Sequence, residues 1–300
     1  MSHTTESVTT VRPRWLKGAP ALFLLLWSSG FVFLKLGLRY ADPLTFLALR
    51  YAIVVGILVA LALLFKPEFP SHPKTWLHLA MTGLLLQAGY FAFTYLSLKY
   101  GMSAGAVALI TSQQPILIGL LAPAIAGEHV GRKRWLGLAL GVAGAVIVIT
   151  AQSSIHISSM WALIFAVLAL LSITGSTLWE KRFATTTHPV SASLVQYTVG
   201  LIITAPLAFF LEPMHVQWSI ELLGSLTYLV ICNSLVAIYL LLAMVRFGEA
   251  SRVSALFFLV PPATAAIALV ALHEPIALRA WFGMALAALG VYLATRADSS

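Results

Sequence analysis

Charge is scarce in this sequence. Asp, Glu, Lys and Arg together make up 9% of 300 residues, where a soluble domain carries about a quarter. Hydrophobic residues make up 60%. A chain this apolar has no way to hide its surface from water, so its solvent is lipid. Cysteine is nearly absent. Cys232 stands alone, which excludes an intramolecular disulfide and a cysteine-based metal site. The eight histidines are scattered, with no partner at helical ligand spacing, so no metal is expected. There is no phosphate-cradling Gly loop with Lys-Ser/Thr, no nucleophile elbow and no carboxylate pair within an apolar run. These absences argue against a membrane enzyme and against an ATP-driven pump. No cofactor is implied.

What is present is a series of long apolar runs. A helix needs about 20 apolar residues to cross a bilayer. Ten candidate spans lie near 18–38, 44–65, 75–98, 103–126, 133–151, 160–180, 190–211, 219–244, 250–272 and 279–296. Residues 1–17 form a basic tail. The first run lacks a small-residue cleavage site, so it reads as a retained span. With the N-terminus inside, one side holds Arg12, Arg14, Lys17, Lys66, Lys74, Arg132, Lys133, Arg134, Lys181, Arg182, Arg246, Arg252 and Arg296. The other side holds Arg39, Lys99 and Arg279. A split of 13 to 3 places both termini in the cytoplasm. It also accounts for the net charge of +8 without nucleic acid. The fold class expected is therefore an all-α polytopic membrane protein, multi-pass in lipid.

The chain repeats itself at an offset of 146 residues. Lys35 meets Lys181, Pro43 meets Pro189, Tyr51 meets Tyr197 and Pro67 meets Pro213. Gln87 meets Asn233, and Ser28 meets Thr174. Pro115 and Glu128 meet Pro261 and Glu274, while Trp135, Gly137 and Gly144 meet Trp281, Gly283 and Gly290. Such self-similarity marks a tandem duplication. Its units are 18–151 and 160–296, each of five spans. Five is odd, so the second unit enters the membrane inverted. Inverted repeats hold substrate near the bilayer midplane and rock around it, giving alternating access.

The ordered set of ten spans, with a proline in each fourth helix and "GE" or "HE" before a Trp/Gly-rich fifth, resembles the EamA branch of the drug/metabolite transporter superfamily. Within it the likeness is to aromatic amino-acid exporters, over roughly residues 18–296. The resemblance implies a basket-shaped bundle in a bacterial inner membrane. It implies amino-acid export through a cavity lined by spans 1, 3, 4, 6, 8 and 9, with the protein acting as a monomer.

Polar and aromatic residues within those spans are the substrate-site candidates. They are Trp27 and Ser28 in span 1, Gln87, Tyr90 and Phe91 in span 3, and Gln113 in span 4. Thr174 and Trp179 follow in span 6, and Asn233 and Tyr239 in span 8. Amides and hydroxyls beside rings suit a zwitterion with an apolar side chain. The same groups also serve as hydrogen-bonding glue between helices. Pro115 and Pro261 are read as mid-span bends. A rise of 1.5 Å per residue puts Glu128 and Glu274 about 20 Å beyond them, at the membrane boundary. There they belong to gate loops or to the starts of the next helices. Lys35 and Lys181 read as lysines reaching for headgroups. Arg50 is harder to place: it stands a third of the way along span 2, and its repeat mate is Gln196. An intramembrane charge is costly and usually has a partner or a role. No Asp or Glu lies mid-span, so facilitated diffusion or weak proton coupling is expected. A carrier of phosphorylated or nucleotide-linked metabolites is the alternative; it would need Arg50, Lys35 and Lys181 as cavity cations.

Overall fold

A computed structural model of the chain describes residues 18–114, 116–118, 121, 132–151, 157–183, 187–240, 244, 259–273 and 276–296. Among these residues the protein is helical, with one isolated bridge, Ala41 to Val216, and no strands. The helices are α1 (Ala19–Gly37), α2 (Pro43–Phe65), α3 (Pro73–Lys99), α4 (Ala104–Thr111) and α5 (Arg132–Ala151). Then come α6 (Ile157–Arg182), α7 (Pro189–Leu211), α8 (Ile220–Leu240), α9 (Val260–Leu272) and α10 (Leu278–Arg296). Six helices are long and apolar enough to cross a membrane: α1, α2, α3, α6, α7 and α8. The others are shorter as apolar segments among the described residues.

Local chemistry sets the starts. Proline occupies the first turn of α1, α2, α3 and α7, where its missing N–H costs nothing. Ser103 Oγ accepts the Ala106 N–H at 3.2 Å, and Ser219 Oγ accepts that of Leu222 at 3.1 Å. Glu212, at the end of α7, caps another helix. Its carboxylate accepts the N–H groups of Leu44 and Thr45 and the Thr45 hydroxyl, each at 2.8 Å. A negative charge thus sits on the positive end of α2. The Ala41–Val216 bridge ties the same two corners.

Two departures from α geometry matter. α3 winds as a π-helix over Leu84–Phe91, and α8 does so over Leu229–Ala237. Adding 146 to 84 and 91 gives 230 and 237, so the two stretches share a register in the repeat. The fourth span breaks early. α4 ends at Thr111, Ser112 and Gln113 form a turn, and the Gln113 N–H bonds back three residues to Ile110 O at 3.1 Å. Pro115, expected as a bend, lies outside the described residues, as do Glu128 and Glu274. Pro261 differs from expectation. It stands in the first turn of α9, not inside a described helix. A proline tolerated at a helix start needs no bend.

Repeat mates meet one another in the packing. The rings of Tyr51 on α2 and Tyr197 on α7 lie edge-on, 5.4 Å between centroids. α5 and α10 cross at glycine. A Cβ on Gly144 would strike the backbone of Gly283, and one on Gly290 would strike the backbone of Gly137 and Gly141. Only glycine lets two backbones approach so closely. The outward faces carry exposed Leu63, Leu64, Phe65, Phe209 and Phe210, as lipid contact demands.

Gly144→Leu and Gly283→Leu are each expected to lower the melting temperature in detergent, at a cost of about 1–3 kcal/mol from overpacking. Gly56 has nothing within 4 Å of a built Cβ. Gly56→Leu should leave the melting temperature unchanged or slightly raised, since glycine is a poor helix former. Thermal unfolding followed by circular dichroism checks all three.

Candidate functional site

The arrangement begins with Arg50. The apolar face of α2 carries it into the bundle, where it is 1% exposed. Its Nε donates to Ser234 Oγ at 3.0 Å. Nη2 donates to the same oxygen at 2.8 Å and to Asn233 Oδ1 at 3.0 Å. Nη1 donates to the Tyr95 hydroxyl at 3.2 Å. The guanidinium carbon lies 4.8 Å from the centre of the Phe91 ring, a cation–π distance. Among the described residues no carboxylate pairs with it. The cation is held by neutral dipoles and one ring, contributed by α3 and α8. Asn233 and Ser234 both lie on the π stretch of α8, and Phe91 closes that of α3. Widened turns of this kind recur at functional sites because they re-aim side chains.

Arg50 lines a half-open cavity with Trp27, Gly30, Phe31, Leu34, Tyr90, Phe91, Thr94, Leu229 and Asn233. Only ≈ 20 Å³ of it is wide enough for the centre of a water molecule. That is room for about one water. The conformation is contracted, and a larger ligand requires the lining helices to part. Trp27, Phe31, Tyr90 and Phe91 supply four rings to the wall, and Arg50 is the one charged residue among the described lining residues.

Two larger spaces lie elsewhere. A groove of ≈ 430 Å³ between α3 and α7 is lined by Phe69, Trp76, Leu77, Leu194 and similar side chains. It offers almost no polar group to orient a ligand. A cavity of ≈ 520 Å³ has Lys35, Gly101, Ser103, Ala265, Ile276 and Met284 on its walls. Residues after α3 (Gly101, Ser103) and before α10 (Ile276, Ala277) meet on its wall. Lys35 Nζ donates there to Met102 O at 3.1 Å.

Of the expected substrate residues, Trp27, Tyr90, Phe91 and Asn233 come together around this cavity. Gln87 is buried on the same π stretch, but its Cβ packs at Gly200 of α7. Its Oε1 accepts no bond among the described residues. Ser28 is buried beside α9, its carbonyl accepting from Thr264 Oγ1 at 3.2 Å. Gln113 faces Gly141 of α5. Thr174 turns its hydroxyl onto its own helix, at Leu170 O. Trp179 joins a separate aromatic cluster with His78 and Phe183. His78 lies nine residues before Gln87 on α3, about 14 Å of helix rise. Tyr239 is 63% exposed and does not line the cavity. Among the described residues the cavity lining comes from α1, α2, α3 and α8, and none of it from α4, α6 or α9, which were expected there. Arg50, outside the expected set, is its centre. Its position within a span was the available signal; its partners Tyr95 and Ser234 had none.

The profile of the EamA-like transporter family matches the chain twice, over residues 17–150 and 160–296. The chain belongs to that family. It is a transporter and a multi-pass membrane protein, not an enzyme. Among relatives of this EamA protein is a "probable amino-acid metabolite efflux pump" of Salmonella typhimurium, 27% identical over 91% of this chain and 92% of that one. The Escherichia coli protein of the same description has the same identity and coverage. An uncharacterized transporter of Bacillus subtilis, YvbV, is 25% identical over 91% of this chain and 89% of its own. A solved crystal structure aligns with a TM-score of 0.66 over 95% of this chain, at 18% identity, and supports the fold.

A Cβ on Gly30 would overlap the Asn233 amide. Gly30→Ala should push Asn233 off Arg50 and reduce transport on the order of tenfold, the effect of losing one hydrogen bond to a charged group. Initial uptake rates in proteoliposomes, with the melting temperature as a folding control, check this.

Proposed function

We propose that this transporter exports amino acids, aromatic and other apolar ones included, across the inner membrane by alternating access. The observation that carries the reading is the buried Arg50–Asn233 pair set in a wall of Trp27, Tyr90 and Phe91. A guanidinium fork suits a carboxylate, and rings suit an apolar side chain. The printed names of the Salmonella and Escherichia relatives agree with it. An inner-membrane location agrees with the name of Escherichia coli YedA, an uncharacterized inner membrane transporter 20% identical over 77% of this chain.

The architecture we propose is ten spans in two inverted repeats, 18–151 and 160–296, with both termini cytoplasmic and the monomer as the working unit. The shared register of the π stretches and the meeting of Tyr51 with Tyr197 support it. Lys35 and Ser103 on one cavity, and Ala41 bridged to Val216, agree with the alternation of loops that it requires. Gln87, Ser28, Gln113, Thr174, Trp179 and Tyr239 enter the proposal as groups that approach substrate only in other conformations. Glu128 and Glu274 remain proposed gate residues, with Pro115 and Pro261 at the helix breaks. A phosphorylated substrate fits less well, because the cavity lining offers Arg50 as its one cation, while a phosphate monoester carries about two negative charges.

Uptake into proteoliposomes containing only this protein tests the reading. Labelled phenylalanine, threonine, methionine, lysine and glutamate are offered with and without a pH gradient. Uptake of phenylalanine or methionine is expected without the gradient. No uptake of any of the five would overturn the assignment; strong acceleration by the gradient would overturn facilitated diffusion.

A further inference from the structure

We infer that Arg50 selects substrate by its carboxylate alone: the site takes an apolar monocarboxylate whether or not it carries an ammonium group. The inference rests on the proposed substrate class and narrows it. Its basis is the imbalance of charge in the cavity. Arg50 is a permanent cation, 1% exposed, with no acid paired to it among the described residues. Nη1 carries two N–H groups. Its one acceptor among those residues is the Tyr95 hydroxyl. A bound carboxylate supplies the missing counter-charge and takes the spare donor.

The other end of a zwitterion has no such partner. Not one Asp or Glu stands among the ten lining residues. The nearest amide oxygen, Asn233 Oδ1, is already committed to Arg50 at 3.0 Å. Burying an ammonium in an apolar, contracted space without a carboxylate is costly. The remaining lining is rings, aliphatic carbon and the neutral hydroxyls of Tyr90 and Thr94, the Thr94 Oγ1 having no partner among the described residues. A hydroxyl can accept from an ammonium but brings no counter-charge. An acid that lacks the amino group therefore leaves the loaded site neutral, whereas a zwitterion leaves it with one net positive charge. Deaminated or N-acylated relatives of the apolar amino acids therefore fall within the substrate class.

Isothermal titration calorimetry on the purified full chain in detergent tests this with four probes of one shape. They are phenylalanine, 3-phenylpropionate, phenylalaninamide and phenethylamine. The expected result is that 3-phenylpropionate binds at least as tightly as phenylalanine. The two probes without a carboxylate should bind about tenfold to a hundredfold more weakly, the range for losing a hydrogen bond to a charged group. Equal binding of phenylalaninamide and 3-phenylpropionate overturns the inference, as does tighter binding of inorganic phosphate than of any carboxylate. Binding of no probe overturns it too.

Asn233→Asp provides a variant that keeps the shape of the site. It places an internal carboxylate against Arg50, so it should abolish 3-phenylpropionate binding while leaving the melting temperature unchanged or raised. Undiminished binding by Asn233→Asp would sink the counter-ion role. Arg50→Lys keeps the charge and loses the fork, and an intermediate affinity is expected. The two readings fail separately. Phenylalanine transport without 3-phenylpropionate binding removes only this inference. Transport of 3-phenylpropionate with no amino acid accepted removes only the amino-acid assignment.

Discussion

A guanidinium sealed inside an apolar bundle is the constraint on which the centre of this protein depends. Arginine does not deprotonate in proteins, so Arg50 has to be accommodated as a cation. No acid is paired with it among the described residues. The bundle therefore brings dipoles to it: two side chains from α8, one hydroxyl from α3 and the face of Phe91. Each of these has its own requirement. Asn233 reaches Arg50 only because position 30 is glycine. Consecutive residues Asn233 and Ser234 both reach the guanidinium from the π stretch of α8. A site balanced in this way is stable enough to fold but incomplete in charge, which is what a binding site for an anion requires.

Around that centre the packing divides into rigid and adjustable parts. α5 and α10 lock through glycine, backbone against backbone. Such a contact has no side chains to rearrange, so the two helices move together. The Tyr51–Tyr197 contact joins α2 to α7, and the Tyr51 hydroxyl donates to Gln87 O at 2.8 Å, at the π stretch of α3. The strained or broken ladders lie elsewhere: in the π turns of α3 and α8 and at the Ser112–Gln113 turn after α4. Backbone that already departs from α geometry can shift register at lower cost than a regular helix. Tyr90, Phe91, Leu229 and Asn233 of the cavity wall lie on the π stretches, while its residues from α1 and α2 lie on regular helix.

Much of this was legible in the sequence. Apolar length located α1, α2, α7 and α10 to within a residue or two, because a bilayer admits few alternatives to a straight helix. The offset of 146 pairs the two π stretches, and it pairs Tyr51 with Tyr197, whose rings meet. What stayed hidden was of two kinds. The π stretches leave no periodic mark, since one widened turn changes no spacing of apolar residues along the chain. The cap from Glu212 onto α2 and the bonds from Arg50 to Ser234 join residues 167 and 184 positions apart, a separation over which no spacing rule operates. Aromatic content drew attention to Trp27, Tyr90 and Phe91, which line the cavity, and equally to Trp179 and Tyr239, which do not. Ring chemistry alone does not distinguish a cavity wall from an interhelical cluster or an exposed face.

The charge breaks the symmetry that the scaffold keeps. Arg50 has Gln196 as its repeat mate, and the backbone of Gln196 packs against Gly83. Asn233 has Gln87, whose Oε1 meets no donor among the described residues. A chain that matches its family twice thus carries its buried arginine in one half only. Such a bias does not drive export. A ligand shifts a conformational equilibrium only by its differential affinity for the states, and over a full cycle that difference cancels. The asymmetry sets which state predominates when the site is empty and how substrate is oriented when it is full. Under the proposed facilitated diffusion, the substrate gradient alone would set direction.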